Sequence, residues 1–360
     1  MLILGIESSC DETAASVVRD GHEVLSSVIS SQIKLHAAYG GVIPELAARE
    51  HLKNIVPVVE SALAEAGVSA GEIDGLAVTS RPGLIPALLV GNAYAKGLVA
   101  ANPMPIVGIN HFEGHLYGAF IGHPELLENR ENYPILGVVV SGGHTALVLV
   151  PADGRARIVG TTLDDAAGEA LDKAAKILGL GYPGGPVIDR IAKNGNPKAY
   201  NFPRGLIGGG GKPVPHEHRF DFSFSGVKTS LLYAVKDREL SESELADVVA
   251  SYQAACMGVL VTKAMMAAKE FGARMICLAG GVACNSYLRQ EMAAACEKEG
   301  RTLLLAPPKF CTDNAAMIAG LGYHHLKRGW NDGLDLPVNA RLPESLGIFP
   351  FACDAASERG

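Results

Sequence analysis

One layout of residues occurs twice in this chain. Near the start, "LILGIE", "SSCDET" and "AASVV" read as an apolar strand, a small polar turn and a second apolar strand; at residues 135–150, "ILGVVV", "SGGHT" and "ALVLV" repeat the pattern. Self-similarity at a period of roughly a third of the chain points to a duplicated unit. The Ser and Gly residues of the turn put backbone N–H groups at a hairpin tip that anionic groups can approach with no Cβ in the way. With 360 residues the chain can support two lobes with separate cores. Its 42 glycines, 48% hydrophobic residues and 19% charged residues suit an α/β protein with many tight strand-to-helix turns.

No apolar run approaches the length of a membrane span, and the start "MLILGIESSCDET" has neither a basic n-region nor a full h-region. A cytoplasmic location is expected. Seven cysteines with no C-x-x-C pair fit reduced thiols better than a disulfide framework or a cysteine zinc site.

In "NHFEGHLYG", residues 110–118, His111 and His115 stand four positions apart. On a helix turning roughly 100° per residue, both rings leave from nearly one side and can reach a single ion. Glu113 points about 180° from their mean direction, whereas the zinc-protease pattern His-Glu-x-x-His sets its glutamate directly after the first histidine. Paired histidines also occur on solvated helix faces, so the spacing alone leaves both readings open. "EIDGLAVTS", "LIPALLVGNAYAKGLVAANP" and "MPIVGIN" read as strand, buried helix, strand. This order delivers His111 just beyond the carboxyl end of a strand, where open α/β sheets place ligands. Near the far end, "CTDNAAMIAGLGYHHL" puts Asp313 at a helix start. Capping would explain it there; joined to the two histidines, it would complete a facial ligand set suited to iron or zinc with open positions.

In the second half, "RMICLAGGVACNSYLRQEMAAAC" reads as a buried strand, a Gly-Gly turn and a helix, with Asn285 placed to cap the helix or to meet a ligand. Asp189, in the short helix of "GYPGGPVIDRIAKNG", is able to accept ribose hydroxyls. Tight packing explains the glycines of these turns equally well.

A formal net charge of -7 argues against a protein that coats nucleic acid with its whole surface. Between Lys193 and Lys236, however, seven Lys/Arg (193, 198, 204, 212, 219, 228, 236) face only Glu217 and Asp221, with Tyr200, Phe202, Phe220, Phe222 and Phe224 interleaved. Phosphate contact with base stacking, a basic rim around an anionic small molecule and aromatic core packing all produce such a pattern.

The ordered motifs together resemble one family: the bacterial form of the transferase subunit that makes threonylcarbamoyladenosine in tRNA, within the actin-like ATPase superfamily. The residues that carry the resemblance are "GIESSCDETAASVV" (5–18), "RPGLIPALLVG" (81–91), "NHFEGH" (110–115), "VSGGHT" (140–145), "DDAAGEALDKAAKILGLGYPGGPVID" (164–189), "FDFSFSGVKT" (220–229), "GGVACN" (280–285) and "CTDNAAMIA" (311–319). The resemblance implies a duplicated actin-like, ribonuclease H-like fold of two lobes with the ligand site in the cleft. It places the N-terminal lobe at 1–130, the C-terminal lobe, including the basic segment 193–236, at 131–345, and a variable tail at 346–360.

It also implies that His111, His115 and Asp313 bind one divalent metal ion, Fe2+ ahead of Zn2+. Val140, Ser141, Gly142, Gly143, His144, Asp172, Gly185, Asp189 and Asn285 would hold threonylcarbamoyl-AMP. Residue patterning alone puts Asp172 on the wet face of a plain amphipathic helix. The implied reaction transfers the threonylcarbamoyl group to N6 of the adenosine beside the anticodon in tRNAs reading codons that begin with A, and releases AMP. No residue is implied as a covalent nucleophile. The implied partners are tRNA, a paralogous subunit of the same fold (TsaB-like) and a small P-loop ATPase (TsaE-like). Two other activities compete. A metallopeptidase would need a general base beside the metal-bound water, a place Glu113 does not occupy. An actin-like kinase or ATPase would need magnesium carboxylates and has no use for two metal-binding histidines.

Overall fold

The computed structural model describes residues 1–207, 214–341 and 345–349. The chain divides into two compact units: the first takes Met1–Arg130, Ala152–Ala156 and the described residues from Pro307 onwards, the second Glu131–Pro151 and Arg157–Ala306.

The first unit runs β1 (Leu2–Glu7), β2 (Glu12–Arg19), β3 (Glu23–Val24), β4 (Val28–Ser31), α1 (Ile33–Ala37), α2 (Pro44–Ala66), β5 (Gly75–Arg81), α3 (Ile85–Ala101), β6 (Ile106–Asn110), α4 (His111–Gly118) and α5 (Pro124–Glu128). The second continues with β7 (Ile135–Val140), β8 (Thr145–Val150), β9 (Arg155–Thr161), α6 (Ala167–Ile177), α7 (Gly184–Ala192), α8 (Ser225–Val235), α9 (Glu242–Glu270), β10 (Met275–Ala279), α10 (Ser286–Glu299) and β11 (Thr302–Leu305). Then follow α11 (Pro308–Cys311), α12 (Ala315–Lys327) and β12 (Ser345–Ile348).

The duplication is visible in the strand order. The first sheet is arranged β3–β2–β1–β5–β6, and the second contains the run β9–β8–β7–β10–β11. In both, a leading antiparallel hairpin (β1 with β2, β7 with β8) is extended by two parallel strands on the side of its first member. Both faces of these central strands are covered, so β1, β7 and β10 read as unbroken apolar runs rather than alternating ones.

The first unit buries Leu4, Ile6, Val17, Ile55, Val59, Leu76 and Val78 in one core under α2 and α3. The expected second lobe ran to residue 345, but Pro307 onwards groups with the first unit. The cause is a close backbone contact: a Cβ on Gly5 would lie 2.3 Å from the Ala315 carbonyl oxygen and 2.8 Å from Ala319 Cβ, so α12 lies directly on β1.

α9 corrects a second expectation. By length and composition, with an 18-residue window of mean hydropathy 1.4, it is long and apolar enough to cross a membrane, yet 72% of that window is buried inside the protein. It is the core helix of the second unit, apolar on nearly every face, with buried side chains running from Ala246 to Ala268.

Candidate functional site

Asn110, the last residue of β6, accepts a hydrogen bond from Phe112 N–H at 2.9 Å and so caps α4. The helix therefore begins at the strand's end, and His111 and His115 occupy its first and second turns. Gly114 lies between them against α12, where a Cβ would meet Ile318 Cδ1 at 2.9 Å. The absent side chain lets α12 approach, bringing Asp313 beside both rings. The capping role open to Asp313 is filled by its neighbour: Asn314 accepts from Met317 N–H at 3.0 Å.

His111 Nε2 stands 3.4 Å and His115 Nε2 3.1 Å from Asp313 Oδ1, and one ligand atom from each residue lies within 4.8 Å of the others. With metal–ligand bonds of about 2.0–2.2 Å, neighbouring ligand atoms in a tetrahedral or octahedral shell stand about 3.0–3.5 Å apart, so the spacing fits an ion. Neither ring nitrogen of buried His115 has a hydrogen-bond partner among the described residues, although Nε2 lies 3.1 Å from Asp313 Oδ1. Such a ring is costly to bury unless something else takes its lone pair. The histidines are 3% and 1% exposed, which removes the solvated-face reading, whereas the Asp313 side chain keeps 18% of its surface and leaves the set open on one side.

Glu7 was not found from sequence. It ends β1 fully buried, with Oε2 2.9 Å from His111 Nδ1 and accepting from Thr79 Oγ1, while Oε1 accepts from Ser9 N–H. A carboxylate closing an apolar strand was the available signal, since a buried charge requires a partner. Burial pushes the Glu7 carboxyl up, but the His111 ring outweighs it and leaves the group lowered. Burial pushes His111 down, while Asp313 and Glu7, flanking its two nitrogens, hold it well above the usual histidine range. Asp313 is held well below the carboxylate range, the pull of both rings overcoming burial. Burial and the neighbouring His111 charge lower His115. Glu113 is also buried, and burial pushes its carboxyl up to about 8, so it keeps its proton at neutral pH.

In the second unit, Val140 ends β7 and Ser141–His144 turn back into β8. Ser141 N–H is used inside the turn, donating to the His144 carbonyl at 2.8 Å; the Ser141 and Gly142 carbonyls accept from Gly168 and Glu169 N–H at the start of α6. No hydrogen bond holds the N–H groups of Gly142 and Gly143 among the described residues. A Cβ at either glycine would meet nothing within 4 Å, so packing does not demand glycine there. By contrast Gly280, with φ +92°, would place its Cβ 2.3 Å from the Val140 carbonyl oxygen.

Asp172 is half-buried rather than wet, and its Oδ1 accepts from Gly184 N–H at 2.7 Å, which aligns the start of α7. Gly185 follows, and Asp189 accepts from Ser286 N–H and Oγ at 3.1 and 2.8 Å. Asn285 caps α10 through Leu288 N–H and donates to Gln253 Oε1 at 2.8 Å. Asp172, Gly185, Asp189 and Asn285 thus belong to one connected α6–α7–α9–α10 assembly.

The basic segment divides. Lys212 lies outside the described residues. Phe202, Phe220, Phe222 and Phe224 are buried at 6%, 7%, 0% and 1% exposure, so their reading as an open stacking surface gives way to core packing. Arg219 pairs with Glu270 at 2.9 Å and Lys228 with Asp165 at 2.8 Å. Lys193, Lys198, Arg204 and Lys236 make no ion pair among the described residues.

Strand order and lobe duplication make this a protein of the actin-like fold, carrying a two-histidine, one-carboxylate site in its first unit. HypF of T. kodakarensis shares the fold with TM-score 0.58 and 14% identity, over 93% of this chain and 48% of that one. Component A of Acidaminococcus fermentans (R)-2-hydroxyglutaryl-CoA dehydratase shares it with TM-score 0.51 and 15% identity, over 90% of this chain and 98% of that one. At those identities the likeness is one of fold alone. The profile of the tRNA N6-adenosine threonylcarbamoyltransferase family matches residues 23–320. A relative of that name from Syntrophotalea carbinolica is 50% identical over 355 residues, covering 98% of this chain and 100% of its own. The chain belongs to that family.

Proposed function

We propose that this chain transfers the threonylcarbamoyl group from threonylcarbamoyl-AMP to N6 of the adenosine beside the anticodon in tRNAs reading codons that begin with A, releasing AMP. One observation carries the reading: a complete His111, His115, Asp313 set in a chain half identical, over nearly its whole length, to relatives named for this activity.

The amine attacks the carbonyl carbon of the mixed anhydride, a C–N bond forms, and the C–O bond to the phosphate breaks as AMP leaves. The amine proton passes to solvent or to the departing phosphate. An aromatic amine is a weak nucleophile, so the rate comes from holding donor and acceptor together and stabilising the developing oxyanion. The donors offered by the glycine turn are Gly142 and Gly143 N–H, not Ser141 N–H, which the turn itself consumes. Asp172, Gly185, Asp189 and Asn285 serve the adenosine end of the donor.

His111, His115 and Asp313 would hold a divalent cation, which would supply Lewis acidity to the reacting carbonyl. Glu7 fixes the His111 ring by holding its second nitrogen. We assign Fe2+ ahead of Zn2+, because two histidines and one carboxylate with open positions form the facial set iron favours. Peptidase chemistry is disfavoured by Glu113, which is protonated at neutral pH and set away from the ligand face. The family resemblance supports a cytoplasmic enzyme working with a paralogous TsaB-like subunit of the same fold and a TsaE-like P-loop ATPase.

The test is turnover. With threonylcarbamoyl-AMP, tRNA and those partners, AMP release should depend on tRNA, and parallel peptide-release and γ-phosphate-transfer assays should stay at background. AMP release independent of tRNA, or activity in either parallel assay, counts against the reading.

A further inference from the structure

Lys198 and Arg204, two of the four cations of the basic segment with no ion pair among the described residues, share one cavity in the second unit. It has a volume of about 280 Å³ and lies between the 196–204 loop and α9, lined by Lys198, Tyr200, Phe202, Arg204, Ser251 and Ala255 among others. The loop is built rather than draped. Gly195 packs where a Cβ would sit 2.0 Å from the Ala246 carbonyl oxygen, and Gly205 where it would sit 2.1 Å from that of Ser223. Between these points Ser251 Oγ donates to the Asn196 carbonyl at 3.1 Å and accepts from Tyr200 N–H at 3.0 Å.

Arg204 lies against the helix at Gly258, whose Cβ position is 3.4–3.5 Å from its guanidinium atoms. Its donors and the Lys198 ammonium meet no carboxylate among the described residues. The Tyr200 ring, half-buried, is stacked on buried Phe202 with centroids 6.0 Å apart and planes at 18°, and it lines the same cavity. Phe202 in turn meets Tyr252 edge-on at 5.8 Å, so the platform is held from behind. Unpaired guanidinium and ammonium groups beside a braced aromatic ring match a phosphodiester beside a base.

We propose that this cavity is an RNA subsite of the enzyme, holding one nucleotide of the substrate tRNA away from the modified adenosine, with the phosphodiester on Arg204 and Lys198 and the base against Tyr200. The proposal rests on the transferase reading, which makes tRNA the substrate. The volume, about 280 Å³, is just below the range for small-molecule pockets and leaves room for a small part of the RNA rather than a large ligand. Free AMP is the other anion in the reaction. However, Asn285 reaches α9 through Gln253, about 150° round the helix from the stripe of Ser251, Ala254, Ala255 and Gly258 that floors the cavity and supports Arg204. On a chain of net charge -7, general attraction for RNA is absent, so phosphate contacts must be concentrated.

The test is titration of labelled tRNA against the full-length wild type, Lys198→Gln, Arg204→Gln, Arg204→Lys and Tyr200→Leu at several salt concentrations, with AMP calorimetry and melting curves in parallel. Lys198→Gln and Arg204→Gln should each weaken tRNA binding about tenfold and flatten the log–log salt dependence by about one. Arg204→Lys should recover most of the slope, and Tyr200→Leu should weaken binding with the slope unchanged. AMP affinity should hold throughout. Wild-type affinity and slope in both glutamine variants overturn the subsite, as does a fall in AMP affinity alongside tRNA affinity, which would make the cavity part of the donor site. Failure of the wild type, titrated together with its partner subunits, to bind tRNA would sink the transferase reading together with the subsite.

Discussion

Glu7 Oε2 lies 2.9 Å from Nδ1 of His111, on the opposite side of the ring from Asp313. A carboxylate behind a ligating imidazole fixes the ring's orientation and raises its basicity, so Glu7 acts on any bound ion through His111. Glu7→Gln keeps one acceptor oxygen, which can serve the ring or Ser9 N–H but not both, and removes the charge. The fold should survive, while metal affinity drops roughly 10- to 100-fold. Competition titration against a chelator of known affinity reads this; unchanged affinity would show that Glu7 only fills space in the strand.

Asp313 is the member of the His111, His115, Asp313 set whose side chain is partly open, and it does not cap α12. Asp313→Asn should therefore abolish stoichiometric metal binding and cost little helix stability, since Asn314 continues to cap. Metal analysis of the purified variant, with its melting temperature, separates the two roles. Full occupancy would show that the histidines hold the ion without it.

Two glycines of the second unit should respond in opposite ways. Gly142 has open space where a Cβ would go, so Gly142→Ala should leave stability within about 0.5 kcal/mol of wild type while weakening AMP or donor-analogue binding several-fold by blocking the approach to the turn. Gly280 combines φ +92° with a 2.3 Å clash against the Val140 carbonyl. Gly280→Ala should destabilise by about 1–3 kcal/mol or more through strained backbone alone. Melting curves and calorimetry on both variants check the contrast. Normal ligand binding by Gly142→Ala would return that glycine to ordinary turn chemistry.

His325 near the end of α12 is buried, and its ring stacks on Trp330, the single tryptophan, at 4.5 Å. Burial, with Arg328 and Arg81 nearby, pushes it down to about 4. Its folded value lies below its unfolded one, so between about pH 6.5 and 4 the unfolded chain binds more protons and stability falls as pH falls. The loss is on the order of 3 kcal/mol once both values are passed. His325→Gln should flatten this acid limb, with Trp330 fluorescence reporting the transition. An identical limb in the variant would assign acid sensitivity elsewhere, beginning with His324, which burial pushes down to about 3.

The repeat of hairpins was legible because both copies are short apolar strands around a small polar turn, a local pattern. The histidine pair was legible for the same reason: helical spacing is visible in five residues. Asp313 needed long-range information, since only the contact of α12 with Gly5 and Gly114 carries it to the histidines from 198 positions away in sequence. Glu7 was missed because its role is defined by the His111 ring it touches, which no local pattern encodes. α9 lacks a polar face, so its 29 residues show no period to read, and the phenylalanines of the basic segment look like a stacking surface until their burial is known.

The central claim is threonylcarbamoyl transfer to tRNA, and the most direct measurement is mass spectrometry of nucleosides from a tRNA reading codons that begin with A. The tRNA is first incubated with threonylcarbamoyl-AMP, this protein and the partner subunits. The expected result is N6-threonylcarbamoyladenosine in the wild-type reaction and unmodified adenosine when Asp313→Asn replaces the wild type. Unmodified adenosine with the metal-loaded wild-type protein would contradict the account.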